Sequence, residues 1–178
     1  MKTLNPCLSH LVYIKVASWS IALMLLLTGT ASAQGPEGKS FGFGLIIGSP
    51  LGGTIKGWLS PENALVADIG ASYFGDPRIQ ADYLWHFDVF HSRIVKMYAG
   101  PGLAIGFGNE ITGFRWHRED VIVDNTTTVG FGMRAIFGLN VIPSRTPLEI
   151  FAEVGPLIAF SPGFGVGLDG AIGIRFYP

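Results

Sequence analysis

The sequence is short of charge and nearly devoid of cysteine. Of its 178 residues only 14% are charged, and 12 Lys and Arg stand against 13 Asp and Glu, for a net charge of -1. A nucleic-acid binder would carry a basic excess or stripe, and none is present. Disorder would need low hydrophobicity and high net charge, whereas mean hydropathy is +0.41. Beyond residue 33 no run comes near the roughly 18 consecutive apolar residues that mark a membrane-spanning helix. The single cysteine, Cys7, precedes an apolar segment and lacks the small-residue context of a lipoprotein anchor.

Glycine is what the chain has in abundance, with 25 residues, about twice the usual share. Collagen would place one at every third position. Here Gly42, Gly44, Gly48, Gly100, Gly102, Gly106, Gly108, Gly130 and Gly132 are separated mostly by even steps, the period of a β-strand.

Residues 1–33 read as a signal peptide. Lys2 and Lys15 precede the uncharged run Val16–Leu27, and Ala31-Ser32-Ala33 supplies the small-residue pattern of a cleavage site. The twelve residues of that run fall short of the about 20 that a spanning helix needs. Cleavage after Ala33 would remove Cys7 and leave ten Lys and Arg against thirteen Asp and Glu, a net charge of -3.

From there on the period of two prevails. In 65–73, Leu65, Ala67, Ile69, Ala71 and Tyr73 share a face opposite Val66, Asp68, Gly70 and Ser72. In 78–87, Ile79, Ala81, Tyr83, Trp85 and Phe87 oppose Arg78, Gln80, Asp82, Leu84 and His86. The same alternation predicts strands over 41–47, 54–59, 95–107, 129–141, 148–158 and 166–176, which makes eight. The links Ser49-Pro50-Leu51-Gly52, Ser60-Pro61-Glu62-Asn63, Gly75-Asp76-Pro77, Pro143-Ser144-Arg145-Thr146-Pro147 and Ser161-Pro162-Gly163 have turn chemistry. Only the link over 109–126 is long. The fold class expected is all-β, an eight-stranded antiparallel up-and-down barrel.

Alternation does not say which face looks inward. A soluble lipocalin-like barrel would hold its apolar face inside, whereas a transmembrane barrel turns it out to lipid. Ten formal charges fall in the strands: Lys56, Arg78, Lys96, Arg134, Arg175, Asp68, Asp82, Glu149, Glu153 and Asp169. All ten share the glycine-bearing face. Five charges of each sign make a poor solvated surface, since a soluble domain exposes charge on about a quarter to a third of its surface residues. Inside a barrel the same ten can pair into a neutral lumenal network, with glycines leaving room for long Arg and Lys chains. The transmembrane arrangement is therefore expected, with Tyr73, Trp85, Phe87, Phe107 and Phe176 near strand ends as interfacial aromatics. Ile69→Arg should then cost about 2–4 kcal/mol if it lies near the midplane, and Asp68→Ala should leave a lumenal cation unpaired.

Two local runs add to the pattern. Met97-Tyr98-Ala99-Gly100-Pro101-Gly102-Leu103 is echoed at Phe151-Ala152-Glu153-Val154-Gly155-Pro156-Leu157, and the last strand runs Leu168-Asp169-Gly170-Ala171-Ile172-Gly173-Ile174-Arg175-Phe176-Tyr177. Residues 40–178 thus resemble the small eight-stranded outer-membrane barrels of Gram-negative bacteria, of the OmpA and OmpX type. The resemblance implies that Gly173 and Phe176 belong to the signal read by the barrel-assembly machinery; the family normally ends in Phe, and this sequence in Pro178. It also implies an outer-membrane location, with outer-membrane lipid and lipopolysaccharide as surroundings. Residues 34–39 would be a periplasmic tail and 40–178 the barrel. Turns 60–63, 88–93 and 143–147 would face the periplasm, and those near 49–53, 74–78, 109–126 and 161–164 the outside.

No catalytic signature stands out. His86, His91 and His117 have no cysteine partners at metal spacing, and no Gly-x-Ser-x-Gly or phosphate-binding loop is present. His91 and Ser92 beside Asp88 could suggest a lipid A-modifying enzyme, but they fall in a turn on the periplasmic side. The expected function is a non-enzymatic barrel with a structural or surface-interaction role, a plugged lumen, and no cofactor, metal site or nucleic-acid partner. Its candidate interaction loop carries Arg115, Trp116, His117 and Arg118, which could touch lipopolysaccharide phosphates or a partner protein. The alternatives are a small porin-like channel, a lipid A-modifying enzyme or a soluble ligand-binding barrel.

Overall fold

The computed structural model describes residues 38–92, 94–108, 128–143, 145–161 and 163–178. Residues 1–33, where a signal peptide is expected, and the 109–126 segment, with Arg115, Trp116, His117 and Arg118, lie outside the described residues.

Eight strands form the barrel: β1 (Phe41–Gly48), β2 (Leu51–Trp58), β3 (Asn63–Ser72), β4 (Gly75–Phe87), β5 (Val95–Gly108), β6 (Thr128–Val141), β7 (Leu148–Ser161) and β8 (Gly165–Phe176). Each pairs antiparallel with its neighbours in sequence, and β1 closes the ring against β8. Closure removes the unpaired edges that would otherwise invite association. β2 and β4 begin three residues earlier than apolar alternation places them. Gly52 and Gly53 carry no apolar signal, yet their backbone pairs with Gly70 and Ile69 of β3, and Gly75 pairs with Ser72.

One rim holds the described ends of the chain, the turn around Ser60–Glu62, the β4–β5 turn and the β6–β7 connection; we call it the termini rim. The opposite rim holds the turns at Ser49–Pro50 and Tyr73–Phe74 and the short β7–β8 link. Between the rims, apolar side chains point out and charged ones in. Leu45 is 65% exposed, Leu103 61% and Leu168 69%, while Lys56, Arg78 and Glu149 are 0% exposed.

Tyr73 departs from the expected phase. Alternation places it outward with Ala71, but the ladder shifts register between Gly70 and Ser72, and the chain turns after β3. Tyr73 instead points in and donates a 2.7 Å hydrogen bond to Asp169 Oδ1. An irregularity of one residue moves a side chain to the other face.

The inward glycines make room for rings. A Cβ on Gly138 would lie 2.3 Å from the Tyr98 ring, and one on Gly173 2.4 Å from the Phe151 ring. Both are directly cross-strand pairs, Tyr98 with Gly138 and Phe151 with Gly173. Gly42 lies under Tyr177 and Gly167 under Tyr73 in the same way. The two Gly-Pro echoes also have a common geometry. A Cβ on Gly100 would meet Tyr83 O at 1.7 Å, and one on Gly155 would meet Ala135 O at 1.7 Å, so each strand runs against its neighbour's carbonyl just before an outward-facing proline. Because Gly100 pairs with Ile136 and Pro101 with Ala135, both echoes flank the same point of β6.

Candidate functional site

The lumen contains the described clustered chemistry of the barrel, and nine of the ten charges that alternation assigns to strands are buried in it; Asp76, at the start of β4, is exposed at the rim. The buried nine are Lys56, Arg78, Arg134 and Arg175 against Asp68, Asp82, Glu149, Glu153 and Asp169. Lys96 shares their face near the termini rim but is half-buried, and it makes none of the ion pairs among the described residues. The buried set thus holds four cations and five carboxylates, where a five-to-five network was expected.

Toward the termini rim the network centres on Glu149 of β7. Its Oε1 accepts from Lys56 Nζ at 2.8 Å, from Asn140 Nδ2 at 3.1 Å and from Arg175 Nη1 at 3.4 Å, and Tyr177 donates to its Oε2. Burial and then the Glu149 charge push the Tyr177 hydroxyl well above its usual range, which keeps it a neutral donor. Trp58 Nε1 donates to Tyr177 Oη at 3.2 Å. Lys56 also lies 4.2 Å from the Trp58 ring centroid, a cation–π contact. Arg175 donates to Thr54 Oγ1 through Nε at 3.0 Å and Nη2 at 2.9 Å, and its guanidinium stacks 3.7 Å from the Phe151 centroid.

His86 is part of this group. Its Nε2 is 3.0 Å from Lys56 Nζ, and its Nδ1 is 3.2 Å from the Glu62 carbonyl. An ammonium can only donate and a carbonyl can only accept, so His86 is the neutral tautomer with its proton on Nδ1.

The second network lies toward the opposite rim. Arg78 grips Asp169 with two hydrogen bonds, Nη1 to Oδ1 at 3.0 Å and Nη2 to Oδ2 at 2.5 Å. Ser49 and Tyr73 also donate to Asp169 Oδ1. Burial raises the Tyr73 hydroxyl, and its bond to Asp169 reinforces the shift. Arg134 reaches Glu153 at 3.0 Å, Asp82 at 3.3 Å and Asp169 at 3.6 Å. Only the contact to Glu153 is a hydrogen bond. Tyr98 donates to the other Glu153 oxygen at 3.0 Å. An apolar layer of Ile46, Val66, Leu84, Tyr98, Ile136, Phe151 and Ala171 shares the lumen with the two networks.

Asp68 corrects an expectation. No cation lies at ion-pair distance from it among the described residues. Its partner is the Gln80 amide, which donates to Oδ2 at 2.6 Å, while Asp68 Oδ1 and Gln80 Oε1 have no hydrogen-bond partner among the described residues. Removing the Asp68 carboxylate therefore strands no arginine or lysine.

Outside the lumen, Asp88, His91 and Ser92 build a turn. Ser92 N donates to Asp88 Oδ1 at 3.0 Å, and Ser92 Oγ accepts from Ile94 N and Val95 N at 3.2 Å each. His91 has φ 49°, in the left-handed region. Both polar side chains are thus engaged by backbone. Among the described residues no group of three His, Cys, Asp or Glu is arranged to hold a metal ion. Gly173 and Phe176 sit in β8, Gly173 beneath the Phe151 ring and Phe176 outward, edge-on to Phe43.

Counting formal charges alone missed the uncharged half of this site. Parity puts Thr54, Trp58, His86, Tyr98, Asn140 and Phe151 on the inner face, so the signal was present. Tyr177 follows β8 and was read only as part of the terminal run. No protein-family model matches the chain, and no curated protein matches it.

Proposed function

We propose that the chain is an outer-membrane β-barrel, exported through the 1–33 signal peptide, whose lumen is a structural plug and not an active site or open pore. The supporting observation is the distribution of polarity about one closed sheet. Apart from Asp76 at a rim, the exposed strand positions are apolar, while the buried charges lie inside. Soluble monomers rarely expose contiguous apolar patches larger than a few hundred Å², and here such a surface runs around the ring. Lipid is the solvent that matches it. Each strand of β4 to β8 has 12 to 14 residues, enough for the about 9–11 that a tilted spanning strand requires.

The filled lumen supports the closed, non-enzymatic reading. Apart from Asp68 and the half-buried Lys96, its acids and bases are engaged with one another, and Trp58 and Tyr177 pack together at the termini rim. On this reading the neighbours are outer-membrane lipid and lipopolysaccharide, with the barrel-assembly machinery acting on the β8 end during insertion. A surface-interaction role falls to the 109–126 loop.

Membrane fractionation tests the reading. The protein should stay with the membrane through high salt and alkaline carbonate and leave only with detergent; release without detergent would contradict it. In planar bilayers the purified barrel should give no steady current, whereas a sustained ohmic conductance would replace the plug with a pore.

A further inference from the structure

The three described connections at the termini rim differ in chemistry. The Pro143–Pro147 segment carries mostly polar residues and proline, and Leu59-Ser60-Pro61-Glu62 does the same apart from Leu59, 40% exposed. The β4–β5 turn instead presents Val89, 55% exposed, and Phe90, 53% exposed, at its tip. Such side chains gain about 1.5–3 kcal/mol each when fully removed from water, so a turn tip in bulk water is a poor place for two together.

The tip is not a loose end. Asp88 and Ser92 fix its backbone through three hydrogen bonds, and His91 supplies a left-handed residue. On either side it joins the outward apolar surface, through Phe87 and Trp85 on β4 and Ile94 before β5. Trp85 in turn packs edge-on against Tyr83. The apolar belt therefore continues from the strands into this turn at the termini rim.

We propose that the β4–β5 turn is a lipid-interface anchor, with Val89 and Phe90 seated among the glycerol and upper acyl groups of the leaflet at the termini rim. The occupant is phospholipid, because the patch is continuous with the belt that the membrane reading places in lipid. The inference rests on that reading and adds a site to it. A turn fastened on one side of the barrel also sets the depth of that side in the bilayer, since the β2–β3 connection on the same rim exposes only one large apolar side chain, Leu59 at 40%.

Because Cys7 is the only cysteine, single-cysteine probes on the full chain test this cleanly. In a Cys7→Ser background, Val89→Cys, Ile69→Cys and Glu62→Cys are each labelled with an environment-sensitive nitrobenzoxadiazole dye. The proteins are placed in phosphatidylethanolamine and phosphatidylglycerol vesicles, with doxyl-labelled lipid or with iodide on both sides of the bilayer. The dye at Val89 should be quenched by doxyl lipid as the dye at Ile69 is, and several-fold less by iodide than the dye at Glu62. Adding Phe90→Asp should move the Val89 dye toward the Glu62 behaviour. If Ile69 reports lipid while Val89 behaves like Glu62, the anchor is wrong and the membrane reading stands. If Ile69 itself is open to iodide, the membrane reading fails and the anchor with it.

Discussion

Glu149 and Asp68 are both buried carboxylates on the inner face, and their surroundings give opposite expectations for their removal. Glu149 holds Lys56, Arg175, Asn140 and Tyr177 together. Glu149→Ala would leave two buried cations short of their counter-charge, and breaking a buried pair from one side costs about 3–5 kcal/mol. Denaturant unfolding in lipid vesicles should show a loss of that order. Asp68 has only Gln80, within a buried set that has one carboxylate more than it has cations. Asp68→Asn keeps an acceptor for Gln80 Nε2, adds a donor that Gln80 Oε1 can use, and removes the excess charge. Its stability should stay within about 1 kcal/mol of the parent or rise. A loss as large as that of Glu149→Ala would mean that Asp68 has a cationic partner after all.

At the scale of strands, the glycines are complements to rings. Gly138→Ala drives a methyl group into Tyr98, and overpacking of this kind costs about 1–3 kcal/mol. In a Tyr98→Leu background the same change should cost much less, a non-additivity that a double-mutant cycle measures. Gly57→Ala, where nothing lies within 4 Å, is the control and should be nearly neutral. Equal costs at Gly138 and Gly57, or full additivity with Tyr98→Leu, would remove the ring-over-glycine account. These pairs also show where sequence reading stops. The period of two located all eight strands and the inner face, because each apolar outward residue reports its own phase. It missed the glycine-rich start of β2, where no side chain marks the alternation. It misplaced Tyr73, because the irregularity between Gly70 and Ser72 is a backbone event with no period of its own. Which inner ring covers which glycine depends on register between strands, which one strand's pattern does not contain.

For the whole molecule, the sidedness was legible from charge. Lys56, Arg78, Arg134, Arg175 and their carboxylate partners were assigned to one face by parity alone, and they are buried there. The division into a Glu149 network and an Arg134–Asp169 network was not legible, since it depends on how strands far apart in sequence meet across the lumen, as Arg78 and Asp169 do. The shortage of surface charge and the surplus of glycine then have one cause. The barrel keeps most of its strand charges inside, and its lumen needs small residues beneath the rings and against the neighbouring backbone, with Gly102 alone set beside the charged Asp82 and Arg134.

Two predictions belong at this scale. Ile69, 54% exposed on the outer surface, should tolerate leucine, while Ile69→Arg should reduce insertion and stability by about 2–4 kcal/mol if the site is near the midplane. Normal folding and insertion of Ile69→Arg would count against a lipid-facing belt. The central claim is that the exposed face of the sheet meets hydrocarbon, and spin-label accessibility along β6 tests it most directly. Nitroxides at Met133, Ala135, Phe137 and Leu139, each as a single cysteine in vesicles, should show high accessibility to oxygen and low accessibility to a water-soluble nickel complex. The same four positions open to the nickel complex, as on a barrel in water, would contradict the account.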